Sequence, residues 1–141
     1  MDDVLPRPQH RQDPALRRYR ATEEGTQGGY QEDFDTVVDL YSEDAVLVIR
    51  PDKHAVGKVQ IRSAMEAIAA HFDRSLDVRQ AGTVILETGD TALMLARMLV
   101  SAKNFPVIER KVTYVFKKDS RDRWLCAIDN SYGHEVLDAS A

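Results

Sequence analysis

Apolar side chains recur at helical spacing in the first half of the chain and predict three helices. The first helix starts after Asp13, a good N-cap residue, with Pro14 at the first helical position, and it ends before Gly25. A second helix is predicted over 31–41 and a third over 58–72. The third has the clearest apolar face, which consists of Ile61, Ala64, Met65, Ile68, Ala69 and Phe72.

β-Branched and alternating apolar residues dominate the rest of the chain and predict strands. The run DAVLVIRPD at 44–52 predicts a strand that Pro51 ends, and HAVGK at 54–58 predicts a short extended piece that turns at Gly57. Turn-forming residues then separate four longer segments. These four strands are predicted over 77–88, 91–102, 107–118 and 123–130.

The order of these elements predicts the fold class. Helices followed by a meander of long strands are typical of an α+β fold, in which the helices cover one face of an antiparallel sheet. A curved sheet around three helices leaves a cone with a central pocket. We expect a flexible leader over 1–12, a single domain over 13–135 and a flexible tail over 136–141.

Composition and charge narrow the class of partner. The 141 residues carry a net charge of −4 and contain neither a basic run nor an apolar segment long enough to cross a bilayer. We therefore expect no nucleic-acid partner and no membrane partner. The chain starts without an apolar signal segment, and its single cysteine, Cys126, lies in an apolar run. A cytoplasmic protein with Cys126 in its core is the expectation.

Two lone charges lie in otherwise apolar predicted strands. Arg97 interrupts TALMLARMLVSA at 91–102, and Asp129 follows the apolar run WLCAI in the last strand. A buried carboxylate needs a cationic or amide partner, and Arg97 is the best candidate partner for Asp129. This pair, directed into the pocket, is the predicted catalytic site.

Two alternatives for these residues stay open. On strict alternation Asp129 shares a face with Leu125 and Ala127, but it could instead accept backbone amides in the turn at DNSYG. Arg97 could instead point to the outer face of the sheet and pair across strands with Glu109.

The sequence contains no pattern that is typical of a metal site or a cofactor site. The four histidines have no ligand-like spacing, and no glycine-rich phosphate loop follows a strand. We expect no metal and no cofactor. His54 is a candidate for the rim of the pocket.

Four phrases in the sequence resemble a known superfamily. They are DLYSEDAVLV at 39–48, VGKVQIRSAM at 56–65, ETGDTALM at 87–94 and RWLCAIDNSYG at 123–133. In this order and spacing they are similar to the SnoaL-like branch of the NTF2-like superfamily, and more narrowly to bacterial proteins labelled YybH-like or DUF4440. The resemblance implies three helices in a curved sheet, a pocket in the cone and a homodimer formed through the sheet faces. The fold hosts isomerases, cyclases, hydrolases, dehydratases and binding modules, so it implies no single reaction.

The chemistries of this superfamily match only in part. Ketosteroid isomerases resemble the chain around YSEDAVLVIRP, but Arg50 stands where their carboxylate base would be, and a guanidinium cannot accept a proton near neutral pH. Tyr19 is the candidate for their helix-borne phenol, in a displaced register. Limonene-type epoxide hydrolases of the same superfamily use a carboxylate, an arginine and a second carboxylate. Arg97 and Asp129 of this chain match two of these groups, but Leu99 stands where the remaining carboxylate would be.

Two functions follow as hypotheses. The first is a SnoaL-like protein that binds an apolar oxygenated metabolite and acts as a cofactor-independent acid–base enzyme of isomerase, cyclase or hydrolase type. Asp129 and Arg97 would be its catalytic residues. The second is a non-catalytic ligand-binding or dimerisation domain. The residues predicted to contact the small molecule are Tyr114, Tyr132, Asn130, Arg50, His54 and Tyr19.

Overall fold

The computed structural model describes residues 34–73 and 75–140. The leader predicted over 1–12 and the first predicted helix lie outside the described residues. The elements are α1 (Phe34–Val38), β1 (Tyr41–Arg50), β2 (Lys53–Val56), α2 (Gly57–His71), β3 (Asp77–Thr88), β4 (Thr91–Ala102), β5 (Phe105–Lys118), β6 (Trp124–Asn130) and a 3₁₀ helix (Gly133–Ser140).

The six strands form one curved, open sheet in the order β2-β1-β6-β5-β4-β3. Neighbouring strands are antiparallel, except that β1 and β6 are parallel. Helix α2 packs against β1 and β2 at one edge of this sheet. The predicted α+β class and the curved sheet are confirmed.

Strand pairing overrides the helical pattern that predicted a helix over 31–41. The described helix ends at Val38, and β1 starts at Tyr41 instead of residue 44. Tyr41 pairs with Cys126 of β6, and the amide of Cys126 donates to the carbonyl of Leu40 at 2.8 Å. These tertiary bonds satisfy the backbone in an extended conformation, so the helical spacing of apolar residues does not decide the structure here.

The long strands follow their sequence signals closely. Both β3 and β4 have the predicted bounds, while β5 starts at Phe105, two residues before the predicted start. Their inner faces form the core together with α2. The fully buried large side chains are Tyr41, Tyr114, Phe116, Ile61, Met94, Met98 and Cys126, which confirms the expectation that Cys126 is a core residue.

A charged turn joins β5 to β6. The backbone amides of Arg123 and Arg121 each donate to Oδ1 of Asp119 at 2.9 Å, and the guanidinium of Arg123 reaches Oδ2. The hydrogen bond from the Arg123 backbone amide is the main cause that holds the pKa of Asp119 below its ordinary value. The Arg123 guanidinium and the Arg121 backbone amide lower this pKa further. The turn is therefore ordered by a carboxylate that stays ionised over the neutral range.

The chain after β6 returns against the sheet. Residues 136–140, which the sequence assigned to a flexible tail, belong to the 3₁₀ helix Gly133–Ser140. The helix starts at Gly133, whose φ of 55° is in the left-handed region. A Cβ at this position would lie 2.3 Å from the carbonyl oxygen of Lys111 in β5. Only glycine permits this close approach.

We expect Gly133→Ala to destabilise the protein more than Gly89→Ala. Both glycines have nearly the same φ, 55° and 54°, but a Cβ at position 89 meets nothing within 4 Å. The left-handed conformation should cost each variant about 1–2 kcal/mol. The clash with Lys111 should add about 1–3 kcal/mol at position 133 alone. Urea denaturation of the two variants measures the difference, and equal losses would refute the close approach.

Candidate functional site

An open cavity of 960 Å³ lies between α2 and the inner face of the sheet. Its walls come from β1 and β2 on one side, from β4 and β5 on the other, and from α2 and residues 131–132. Val59 is 82% exposed although it lines this space, so the cavity communicates with solvent. The apolar part of the lining includes Leu47, Ile49, Ile68, Phe72, Val78, Met98, Val100, Phe105, Ile108 and Val112.

Aromatic rings form one part of this lining. The ring centroids of His71 and Phe72 are 4.7 Å apart, and those of Phe72 and Phe105 are 5.1 Å apart, both edge to face. This arrangement is favourable for aromatic pairs and offers a firm apolar surface to a ligand.

Strand β5 contributes two polar side chains to the cavity lining. Its inner face carries Arg110, Val112 and Tyr114 in alternation, and each of them lines the cavity. Tyr114 is only 1% exposed, while Arg110 retains partial exposure. Arg110 is thus the charged residue among those of β5 that line the cavity.

Two residues from the end of the chain hold Arg110 in position. Its guanidinium carbon lies 4.2 Å from the ring centroid of Tyr132, a stacking distance for a cation on an aromatic face. Its Nη1 lies 3.5 Å from Oε2 of Glu135 in the 3₁₀ helix. The 3₁₀ helix and the preceding turn therefore orient the charge that faces the cavity.

Asp129 is buried behind the cavity. It is 4% exposed, and the hydroxyl of Tyr41 donates to its Oδ2 at 2.5 Å. The hydroxyl of Ser131 donates to Oδ1 at 3.3 Å. Asp129 does not belong to the cavity lining, although its cross-strand neighbours Tyr114 and Leu47 do.

A β-bulge explains the orientation of Asp129. Val115 pairs with Ile128 while Phe116 pairs with Cys126, so Ala127 is an extra residue in β6. The bulge reverses the alternation, and Asp129 joins the inner face that Cys126 occupies. The expectation that Asp129 shares a face with Leu125 and Ala127 assumed strict alternation and is wrong for this reason.

The predicted pairing of Arg97 with Asp129 is wrong. Arg97 lies between the buried residues Ala96 and Met98, so its side chain points to the outer face and is 60% exposed. Its Nε lies 3.7 Å from Oε2 of Glu109 on the neighbouring strand. The structure thus favours the outer-face alternative, because alternation along β4 puts Arg97 opposite the cavity.

Asn130 makes two hydrogen bonds within the turn at DNSYG. The amide of Tyr132 donates to Oδ1 of Asn130 at 3.1 Å, and Nδ2 of Asn130 donates to the carbonyl of Gly133 at 3.1 Å. This is an Asx-type turn made by the residue after the one that the alternative interpretation named. Asn130 does not line the cavity; it fixes Tyr132, which does.

Four of the residues predicted to contact a small molecule line the same cavity. They are Arg50, His54, Tyr114 and Tyr132, and their roles in binding stay predictions. Arg50 is directed mainly to solvent, where its Nε lies 3.0 Å from Oδ1 of Asp52. Tyr19 lies outside the described residues.

Sequence reasoning missed Arg110. The segment VIERKVTYVF contains Ile108, Val112, Tyr114 and Phe116 at alternate positions, and Arg110 is the charged member of that series. This alternation was available in the sequence. Arg110 is the one charge in this alternate series, but Glu109 and Lys111 flank it in the sequence and make it less conspicuous than Arg97.

Comparison with known proteins connects this geometry to a fold. No family model matches the chain, and no curated protein matches it. Solved structures do match. An NTF2-like protein of unknown function from Pseudomonas putida superposes with a TM-score of 0.67 at 14% identity, over 86% of this chain and 81% of that one.

Two further solved structures show how varied the proteins with this fold are. A candidate ketosteroid isomerase from Shewanella frigidimarina matches with a TM-score of 0.64 at 14% identity, over 82% of this chain and 89% of that one. A candidate association domain of calcium/calmodulin-dependent protein kinase type II from Thiobacillus denitrificans matches with a TM-score of 0.62 at 12% identity, over 90% and 94%. The chain thus has the NTF2-like fold, and at these identities the fold alone is shown.

Among residues 34–73 and 75–140, no three histidine, cysteine, aspartate or glutamate side chains are grouped so that they could hold a metal ion. In the part of the chain that the structure describes, no helix is long and apolar enough to cross a membrane. The cytoplasmic location stays a prediction.

We expect Tyr41→Phe to lower the free energy of unfolding by about 1.5–3 kcal/mol, because it removes a hydrogen bond to a buried carboxylate. Urea denaturation measures this loss. In an Asp129→Asn background the same substitution should cost less, because the charge is gone. Equal costs of Tyr41→Phe in both backgrounds would show that the carboxylate of Asp129 does not strengthen this bond.

Proposed function

We propose that this protein binds a small, largely apolar molecule in the cavity between α2 and the sheet. The observation that carries the proposal is the cavity itself, whose 960 Å³ lies at the upper end of the range for ligand sites. Its lining combines aliphatic and aromatic side chains with a few polar groups, among them Tyr114, Tyr132 and Arg110. Such a lining buries an apolar body and orients it through few polar contacts.

The SnoaL-like assignment remains part of this proposal. It is supported by the four sequence phrases and by the similarity to NTF2-like structures, which host both enzymes and binding modules. The name of the Shewanella protein suggests isomerase chemistry, but that chemistry needs a base that faces the substrate.

A specific observation favours binding over catalysis. The described residues that line the cavity include no aspartate or glutamate. Asp129 is held behind the lining by Tyr41, and Arg97 lies on the other face of the sheet. We therefore propose a non-catalytic ligand-binding role first. An acid–base enzyme is the second candidate, in which Tyr114 and His54 would handle protons at the cavity wall.

A tryptophan inside the cavity tests the binding proposal. Ala67 lines the cavity, while Ala70 is an exposed residue of the same helix that does not line it. We expect N-phenyl-1-naphthylamine, a neutral apolar fluorophore, to bind the natural protein. Ala67→Trp should weaken binding at least tenfold, because it fills ligand space, and Ala70→Trp should change it less than twofold. Fluorescence titration measures the dissociation constants.

Two outcomes would contradict this proposal. The first is the absence of saturable binding to the natural protein. The second is an equal loss of affinity in both tryptophan variants, which would indicate binding somewhere other than the cavity. Circular dichroism checks that both variants retain the fold.

We also propose that two copies of the chain associate through the outer face of the sheet. One aliphatic row crosses five strands on this face through Leu86, Leu93, Val115, Ile128 and Val46, which are paired neighbours. Leu86 and Ile128 are exposed, and so are Val84 and Leu95 in the adjoining row. A second copy offers the same aliphatic surface, so a two-fold arrangement can cover both faces at once.

A charge in this face should break the dimer. We expect the natural protein to sediment with twice the 15.9 kDa mass of the chain. Leu95→Glu should sediment as a monomer because it buries an unpaired carboxylate in the interface. Leu137→Glu, at an exposed leucine of the 3₁₀ helix, should stay dimeric. A monomeric natural protein, or a dimer that survives Leu95→Glu, would show that this face is not the interface.

A further inference from the structure

The charged side chains that line the cavity in the described part of the chain are all basic. Arg50, Lys53 and Arg110 line it, together with His54 and His71. The described part of the lining contains no carboxylate. Asp52 and Glu135 pair with Arg50 and Arg110 but do not line the cavity, so a ligand inside it faces the basic partners, although the protein as a whole carries a net charge of −4. A local excess opposite to the overall charge attracts anions to the cavity.

The three cations differ in how closely they are held. Arg50 and its partner Asp52 are both mostly exposed, so water screens that pair. Lys53 is also exposed and has no ion pair among the described residues. Arg110 is the most enclosed of the three, with a side chain only 22% exposed. Charge interactions are strongest where water is scarce, so Arg110 is the group that most affects binding.

The surroundings of Arg110 are apolar on the cavity side. Ile108 and Val112 flank it along the inner face of β5, and Met98 is its paired neighbour on β4. All three line the cavity. The apolar body of a ligand can pack against these side chains while its polar end reaches the guanidinium. The site is therefore suited to a molecule with both parts.

The geometry of Arg110 leaves it able to bind an anion. Tyr132 stacks on the face of the guanidinium, so the N–H groups along its edge are not covered by this contact. Glu135 is its one carboxylate partner in the described residues, at 3.5 Å through Nη1 alone, and that carboxylate is more than half exposed. A long, solvated, single contact contributes little. A guanidinium can form two parallel hydrogen bonds to a carboxylate, so a ligand carboxylate could displace Glu135 or share the guanidinium with it.

We infer that the natural ligand is an anion, with an apolar body and one carboxylate that binds Arg110. The inference rests on the proposed binding function and specifies its ligand class. Tyr132 is a positioning residue in this arrangement, because its ring contacts the Arg110 guanidinium, whereas Glu135 competes with the ligand for the same group. We therefore expect the cavity to bind a carboxylate more tightly than a neutral molecule of the same shape.

Matched pairs of probes test this preference. Each pair consists of an apolar carboxylate and its primary amide, such as naphthalene-1-acetate and naphthalene-1-acetamide, together with three pairs of other shapes. Isothermal titration at neutral pH measures each dissociation constant. We expect at least one carboxylate to bind the natural protein about 10-fold to 100-fold more tightly than its amide, the range for hydrogen bonds to a charged group.

Three variants test whether the preference for a carboxylate depends on Arg110. Arg110→Met should reduce the ratio of carboxylate to amide affinity to less than threefold while the amide still binds. Arg97→Met removes an arginine with a similar long pair to glutamate on the outer face, so the ratio should not change. Glu135→Gln removes the competing carboxylate without altering Arg110, so the carboxylate should bind severalfold more tightly and the amide should not. This last variant tests the inference even if Arg110→Met fails to fold.

The outcomes separate this inference from the proposed function. If each carboxylate and its amide bind the natural protein equally, the inference is wrong and the binding function stands. If Arg97→Met, and not Arg110→Met, removes the preference, the inference is also wrong. If no member of any pair binds, and the neutral fluorophore does not bind either, both proposals are wrong.

Discussion

The gap between α2 and the far half of the sheet is the feature on which the rest of this structure depends. Helix α2 packs against β1 and β2 at one edge, and the curved sheet brings β4 and β5 round to its other side. A helix of 15 residues is about 22 Å long, whereas strands of 12 to 14 residues are about 40 Å long. Such a helix cannot cover the inner face of these strands by itself. The cavity lies where α2 and the strands face each other without close packing.

The segment after β6 supplies Tyr132 to the cavity and contacts the guanidinium of Arg110. The Asx-type turn at Asn130 directs Tyr132 toward Arg110, and the close approach of Gly133 to β5 sets the start of the 3₁₀ helix that carries Glu135. Asp129, in the same short segment, is used differently. It bonds to Tyr41 and Ser131 and so connects β6 to the start of β1 and to the turn. One segment thus supplies both a buried, hydrogen-bonded Asp129 and the two residues that contact Arg110.

The NTF2-like fold explains the architecture but does not decide the chemistry. The structures that resemble this chain include a candidate isomerase and a candidate kinase association domain, at identities of 14% and 12%. In this chain the described cavity lining combines apolar side chains with cations and includes no carboxylate. An enzyme that removes a proton needs a base, whereas a binding protein needs complementary shape and charge.

The sequence alone determined the α+β class, the bounds of β3 and β4 and the apolar face of α2. These features follow from local signals, because turn residues end strands and the spacing of apolar residues identifies buried faces. Local signals also suggested that Asp129 and Arg97 were unusual. They could not show which face of β4 is the inner one, since Leu93, Leu95 and Leu99 make its outer face as apolar as its inner face.

Only the tertiary structure decided where the site lies. The bulge at Ala127 reverses the direction of Asp129, and no pattern in the sequence marks it. The pairing of Tyr41 with β6 ended a helix that the periodicity continued. Arg110 is the most enclosed of the cavity's three cations because β5 curves toward α2 and because Tyr132 and Glu135, from the segment after β6, contact its guanidinium. Such contacts join residues more than 20 positions apart, and spacing along the chain carries no information about them.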